Sequence, residues 1–79
     1  MTMLLTETLG LLSSAREIVA EGERYLFEQM AIIEGLESEG SDTTDAIDYL
    51  ETLEGMQAEY IAHMERLERQ VLLLVRPDT

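Results

Sequence analysis

The chain has 79 residues, 46% of them hydrophobic and 28% charged, which is the balance of a folded protein and enough for one domain, residues 1–79. It has no cysteine, which excludes disulfides, thiol catalysis and thiolate metal sites. Seventeen acidic residues against five arginines and no lysine give a net charge of −12. That charge argues against direct binding to nucleic acid or to an anionic membrane.

Adjacent apolar residues recur every seven positions through the first half of the chain. The pairs are Leu4-Leu5, Leu11-Leu12, Ile18-Val19, Tyr25-Leu26 and Ile32-Ile33. Residues seven apart lie almost on one line along an α-helix, so this pattern predicts one long helix over residues 3 to 38. A second line, three residues after each pair, completes a heptad and consists of Thr8, Ala15, Gly22, Gln29 and Leu36.

The small side chains of that second line would let another helix approach closely. One alternative to a continuous helix remains open at this point. Ser14 and Glu17 could form a capping box, which would start a new helix after a break near Gly10.

The second half of the chain predicts another helix, over residues 43 to 75. One heptad line consists of Leu50, Gln57, Met64 and Val71, and its companion line of Ala46, Leu53, Tyr60, Leu67 and Leu74. Any of the four residues 41–44 can cap the start of this helix, Gly40 supplies a left-handed cap for the first helix, and Pro77 ends the second.

Only residues 39–42 lie between the two predicted helices. A turn this short forces the helices to run antiparallel, so the sequence predicts an all-α helical hairpin with apolar residues 1–12 beside residues 71–75. The apolar band is wider than one partner helix covers, so we expect two hairpins to form a homodimeric four-helix bundle. The expected interface residues are Leu5, Leu12, Ile18, Val19, Tyr25, Leu26, Ile32, Ile33, Leu53, Tyr60, Met64, Leu67, Val71 and Leu74. A monomer with a partly wet face, or a face kept for a different protein, are the alternatives.

Several polar residues, and apolar residues outside the heptad lines, are candidates for other roles. Gln29 and Gln57 could fix the register of the helices, or could sit at the edge of the heptad lines and reach water. His63 with Glu59 one turn earlier is more typical of a solvated pair than of a metal or proton site. The acidic residues around the turn are explained by capping and the helix dipole rather than by a bound cation. Further partner contacts are expected at Phe27, Leu72 and Leu73.

Residues 20–24 read Ala-Glu-Gly-Glu-Arg, and they are followed by Gln29, by Gly40-x-Asp42-Thr43, by Ala46 and by a leucine-containing segment over 50–53. Over about residues 15 to 70 the chain resembles a group of small uncharacterised bacterial two-helix proteins with this pattern. The resemblance implies a bacterial source and the same hairpin, with no activity attached. The chain departs from that group in being strongly acidic and free of lysine.

The sequence contains no nucleotide, serine-elbow or glycine-rich phosphate motif. We therefore expect a protein-protein interaction or regulatory module without catalytic activity, cofactor or metal, and without a signal peptide or membrane span, in the cytoplasm. One expected partner is a second copy of the same chain. The other is a basic protein, which the strongly negative charge of the chain would attract. The alternative function is a nucleic-acid mimic that inhibits a basic nucleic-acid-binding protein, with Glu17, Glu21 and Glu28, or Asp48, Glu51, Glu59 and Glu65, in place of phosphates. A metal-dependent helix-bundle enzyme is a third, weaker hypothesis.

Overall fold

In a computed structural model, which describes residues 4–75, the chain forms two α-helices and, over that range, no strand. Helix α1 spans Leu5–Ser38 and helix α2 spans Thr44–Val75. The helices pack along their lengths as an antiparallel hairpin with Cα extents of 62 × 22 × 14 Å. The predicted hairpin is confirmed. Residues 1–3 and 76–79 lie outside the described residues, and with them the predicted start of the first helix at residue 3 and the predicted role of Pro77.

Helix α1 is continuous through Gly10, so the alternative of a break there is wrong. Ser14 and Glu17 are exposed residues in the middle of the helix and do not cap a new one. The reason lies in the buried line, which continues past the glycine without a change of phase from Thr8 to Leu12. Tertiary packing on both sides of Gly10 therefore outweighs its low helix propensity.

The turn between the helices is closed by a glycine, as predicted. Gly40 has a φ of +72°, in the left-handed region that favours glycine. Its N–H donates to the carbonyl of Glu37 over 3.0 Å, and the N–H of Ser41 donates to the carbonyl of Leu36 over 2.9 Å. This pair of hydrogen bonds is the Schellman motif, and it satisfies carbonyls left free at the end of α1.

Asp42 is the residue that caps the start of α2. Its Oδ1 accepts hydrogen bonds from the backbone N–H of Thr44 over 3.0 Å and from the Thr44 hydroxyl over 2.7 Å. The backbone hydrogen bond, and after it the hydroxyl hydrogen bond, hold the pKa of Asp42 below its ordinary value of 3.8, because both favour the charged carboxylate.

The two helices meet along a line of residues that we call the seam. It consists of the second member of each apolar pair and the small or polar line of α1, packed against the two predicted heptad lines of α2. Its best covered part lies toward the open end, where Leu12, Ala15 and Leu67 form a buried cluster with Met64 and Val71 packed against it. The core is only two helices thick, so each helix leaves most of its surface uncovered.

Replacing Asp42 with alanine should lower the melting temperature at neutral pH, because Thr44 then loses its acceptor. The folded-state pKa of Asp42 is lowered, so its carboxylate stabilises the hairpin above the unfolded-state pKa, and this stabilisation is lost as the pH falls through the folded-state value. The melting temperatures of the two proteins, followed by circular dichroism, should therefore converge below about pH 3.8. Asp48→Ala, which removes an exposed carboxylate within α2, is the control. If the difference in melting temperature between wild type and Asp42→Ala did not change with pH, the assignment of Asp42 as the cap of α2 would be contradicted.

Candidate interaction surface

The structure divides each apolar pair of α1 between two environments. The second members face α2: Leu12 and Val19 are buried, and Leu5, Leu26 and Ile33 are half-buried. The first members stand to one side of the seam, where Ile18 is 44% exposed, Tyr25 47% and Ile32 53%. One neighbouring helix thus covers one line of each pair and leaves the other line in solvent.

The same division holds for the other expected interface residues. Leu67 is buried in the seam, and Leu53, Tyr60, Met64 and Val71 are half-buried there. Leu74, near the end of α2, is 38% exposed. The contacts of the seam residues are made within the hairpin, so the members of the predicted interface that stay available to a second molecule are chiefly Ile18, Tyr25 and Ile32.

Two glutamines join the helices across the seam. The Gln29 side-chain amide donates to the carbonyl of Ala46 over 2.9 Å, and that of Gln57 donates to the carbonyl of Val19, also over 2.9 Å. Gln29 is 8% exposed and Gln57 is 5% exposed, so the alternative in which both reach water is wrong. Each bond links one helix to the backbone of the other at a single level, so the pair opposes sliding of the helices.

Because Gly22 has no side chain, it leaves the space that the Gln57 side chain occupies. The Gln57 carboxamide lies directly over the Gly22 backbone, and a methyl group on Gly22 would overlap it. The Oε1 atom of Gln57 is buried there and accepts no hydrogen bond from any of residues 4–75. A larger residue at position 22 would push the carboxamide away from Val19, so the glycine and the glutamine act as one unit.

One side of the hairpin carries a continuous apolar surface, which we call the apolar flank. It consists of Ile18, Tyr25 and Ile32 on α1 with Tyr49 and Met56 on α2, which are 55% and 43% exposed. Two shallow grooves of about 270 and 330 Å³ run along it and share Tyr25, Leu53 and Met56 as lining. The flank is therefore two helices wide, with Leu53, Gly22 and the two glutamines at its base.

Tyr49 and Met56 are not among the residues that the sequence predicts for the interface. The signal was present, because each directly precedes a residue of the Leu50 line, just as Ile18 precedes Val19. The pair pattern is harder to see in α2 because Met56 is followed by Gln57, and the next two pairs begin with His63 and Gln70.

Charged residues border the apolar flank. Glu21 and Glu28 line the grooves on the α1 side. On α2 the line of Tyr49 and Met56 continues through His63 and Gln70. The neighbouring line, four residues before each of these positions, contains Asp45, Glu59 and Arg66, all of them exposed. The edge is thus acidic near the turn and carries a positive charge only toward the open end.

The ring of Tyr25 also has a charged neighbour. The Arg24 guanidinium lies 5.3 Å from the ring centroid, and its Nε is 3.9 Å from a carboxylate oxygen of Glu28. This cation–π contact restricts the ring at the centre of the flank without covering it, because Tyr25 is still nearly half exposed.

The opposite side of the seam alternates charged and apolar side chains. The Arg16 guanidinium meets the Glu68 carboxylate over 3.4 Å across the helices, with both side chains well exposed. Glu23 and Glu54 lie on the same side and separate Met30 from Ile61. This side therefore lacks the unbroken apolar surface of the other.

The remaining candidate residues lie on the surface. His63 and Glu59 are exposed, and within residues 4–75 no three histidine or acidic side chains come together in a way that could hold a metal ion. Phe27 is 71% exposed on the side of α1 away from the apolar flank. Leu72 and Leu73 are exposed near the end of α2, where Leu72 borders a shallow cleft beside Arg16 and Glu68.

Comparison with family models, with curated proteins and with solved structures finds no match for this chain. Neither α1 nor α2, over the described range, combines the length and the apolar character that crossing a membrane requires.

Gly22→Ala should destabilise the hairpin although alanine is the better helix former, because the new methyl group displaces the Gln57 carboxamide. In a Gln57→Ala background the same substitution should instead stabilise, by up to about 1 kcal/mol of helix propensity. Gly35→Ala, on the same helix with nothing within 4 Å of the added carbon, is the matched control and should stabilise in both backgrounds. The free energy of unfolding of each variant is measured by urea denaturation, with all variants at the same protein concentration. If Gly22→Ala had the same effect in both backgrounds, Gly22 and Gln57 would not act as one unit.

Proposed function

We propose that the protein is a small, non-catalytic protein-protein interaction module in which two hairpins dimerise through their apolar flanks into a four-helix bundle. The observation that supports this most directly is the apolar flank itself, five large apolar residues in line across two helices and about half exposed. Contiguous apolar surface of this kind on a folded chain is typical of a contact site.

The side of the hairpin that carries the apolar flank is large enough for a stable dimer. The flank itself runs from Ile18 to Ile32, about 21 Å at 1.5 Å per residue, and the line of first pair members continues on the same side of α1 to Leu4, about 42 Å from Ile32. The hairpin is 22 Å wide, so the flank covers roughly 460 Å² and the side from Leu4 to Ile32 covers roughly 900 Å², close to the 800 Å² per partner of a standard interface. A second hairpin on this face would also give each hairpin a thicker core than two helices alone can form.

The grooves on the flank suit side-chain packing better than catalysis. Both are shallow, and their lining is mostly apolar, with Ile18, Tyr25, Leu53 and Met56 among it. Acid-base chemistry needs a concave, partly dry pocket that separates the pKa values of paired groups. The glutamates at the groove edges are exposed instead, so we propose that the surface binds and does not catalyse.

The nucleic-acid mimic is the second candidate, and one observation favours it. All thirteen acidic residues between positions 17 and 63 are exposed, including Glu17, Glu21, Glu28, Asp48, Glu51 and Glu59, and so is Glu65 beyond them. A surface of this charge would attract a basic groove. Binding to a basic nucleic-acid-binding protein should then weaken steeply with added salt and compete with DNA, whereas salt-insensitive binding would count against mimicry.

The double variant Tyr25→Glu with Met56→Glu should dissociate the dimer, because it places four carboxylates in an apolar interface. We expect the dimer dissociation constant to rise at least about a thousandfold, since each of the two substitutions at the centre of the interface should cost about 2 kcal/mol or more. Sedimentation equilibrium should give twice the 9.0 kDa chain mass for the wild type and a mass near 9.0 kDa for the variant.

Phe27→Glu is the matched control for that variant, because it replaces an aromatic ring by the same carboxylate on the other side of α1. It should remain dimeric. A wild-type chain that sediments as a monomer at about 100 μM, well above the dissociation constant expected of a standard interface, would overturn the proposed dimer.

A further inference from the structure

We infer that the second copy lies antiparallel on the apolar flank, so that the turn of each hairpin is beside the open end of the other. The inference rests on the proposed dimer and adds its orientation, which decides which residues meet across the interface. It comes from the distribution of charge along the hairpin and from the position of the flank.

The net charge is concentrated at one end of the molecule. Residues 17–63, on the side of the turn, contain thirteen acidic residues and one arginine. Residues 4–16 and 64–75, at the open end, contain three acidic residues and three arginines, Arg16, Arg66 and Arg69. The described hairpin is thus a rod with an acidic end and an electrically neutral end.

Only two face-to-face arrangements with twofold symmetry place both apolar flanks in contact. With the turns together, two segments that each carry a net charge of −12 would lie side by side. With the hairpins antiparallel, each acidic segment extends past the centre toward the neutral, arginine-containing end of its partner. Like charges repel over about 8 to 10 Å at physiological salt, so the antiparallel arrangement has the lower electrostatic cost.

The apolar flank also has its centre close to the middle of the helices. Tyr25 and Met56 line both grooves, so they mark the level at which a twofold axis would pass. Tyr25 is near the midpoint of Leu5–Ser38 and Met56 is near that of Thr44–Val75. An antiparallel partner centred there overlaps the hairpin over most of its length.

This placement of the axis makes a specific pair of residues meet. In the antiparallel dimer α2 packs against α2 of the partner, and residues at equal distances before and after Met56 face each other. Arg66 is ten residues after Met56, and Asp45 is eleven before it, on the same edge line of α2. Arg66 therefore lies opposite Asp45 of the partner subunit, and the symmetry repeats the pair.

On the α1 edge the same axis brings Glu21 toward Glu28 of the partner subunit. Both side chains are exposed at the edge of the flank, so solvent screens their repulsion and leaves them free to turn outward. The two arginine-aspartate pairs and the separation of the acidic ends therefore decide the orientation.

A charge exchange between the paired residues tests the contact. Arg66→Glu should raise the dimer dissociation constant about tenfold, because it introduces two like-charge pairs. Arg69→Glu, the same charge change on the outer face of the same helix, is the control and should have little effect. Adding Asp45→Arg to Arg66→Glu should restore wild-type affinity. Asp45 and Arg66 are about 30 Å apart along α2, so this rescue must occur between chains.

Distances between spin labels test the orientation independently of affinity. The chain has no cysteine, so one introduced cysteine gives one label per chain. A label on Ser41→Cys, in the turn, should lie roughly 45 to 50 Å from its copy in the antiparallel dimer, but within about 25 Å if the turns are together. A label on Glu59→Cys, near the axis, should be within about 25 Å of its copy in either dimer.

Each outcome has one meaning. A long Ser41 distance with a short Glu59 distance supports the antiparallel dimer. Short distances at both positions overturn the orientation and leave the dimer in place. Circular dichroism of the labelled proteins confirms that they are folded, and absence of any measurable label pair at a concentration of about 100 μM overturns the dimer itself.

Discussion

The close approach of α1 and α2 at Gly22 and Gln57 is the contact on which the rest of the structure depends. The Gln57 carboxamide lies over the glycine backbone and donates to the carbonyl of Val19, and Gln29 makes the equivalent bond to Ala46. Apolar side chains alone would tolerate a shift of one helix along the other, because the heptad repeats. The side-chain amides of the two glutamines reach these carbonyls in one register, and that register sets which residues stand side by side on the apolar flank.

Much of the hairpin could be predicted from the sequence because its signals are local. The seven-residue recurrence, the left-handed Gly40 and a cap among residues 41–44 each depend on a few neighbouring residues, and the structure confirms all three. The sequence left open which of the four residues is the cap, and the structure shows that it is Asp42. The division of each apolar pair could not be predicted, because an adjacent pair spans about 100° of a helix and the pattern does not say which line the neighbour covers. The importance of Gly22 is likewise visible only once the register places Gln57 over it.

The apolar flank follows from the same geometry. Two helices that meet along a narrow seam cannot cover a band as wide as the pairs Ile18-Val19 and Tyr25-Leu26, so one line remains outside. On the side of α1 that carries this line, α2 contributes Tyr49 and Met56, while the other side is interrupted by charges such as Arg16 and Glu68. The hairpin is therefore built with one face suited to an apolar contact, and the proposed function is a consequence of that asymmetry.

The central claim is that the hairpin reaches its stability by covering this face with a second chain, and thermal unfolding at different protein concentrations tests it most directly. If folding and dimerisation are coupled, the melting temperature must rise with total protein concentration, because mass action favours the dimer. We predict a steady rise of the midpoint over a range of about a thousandfold in concentration. A melting temperature that is the same throughout that range, with the wild-type helix content at every concentration, would contradict the account.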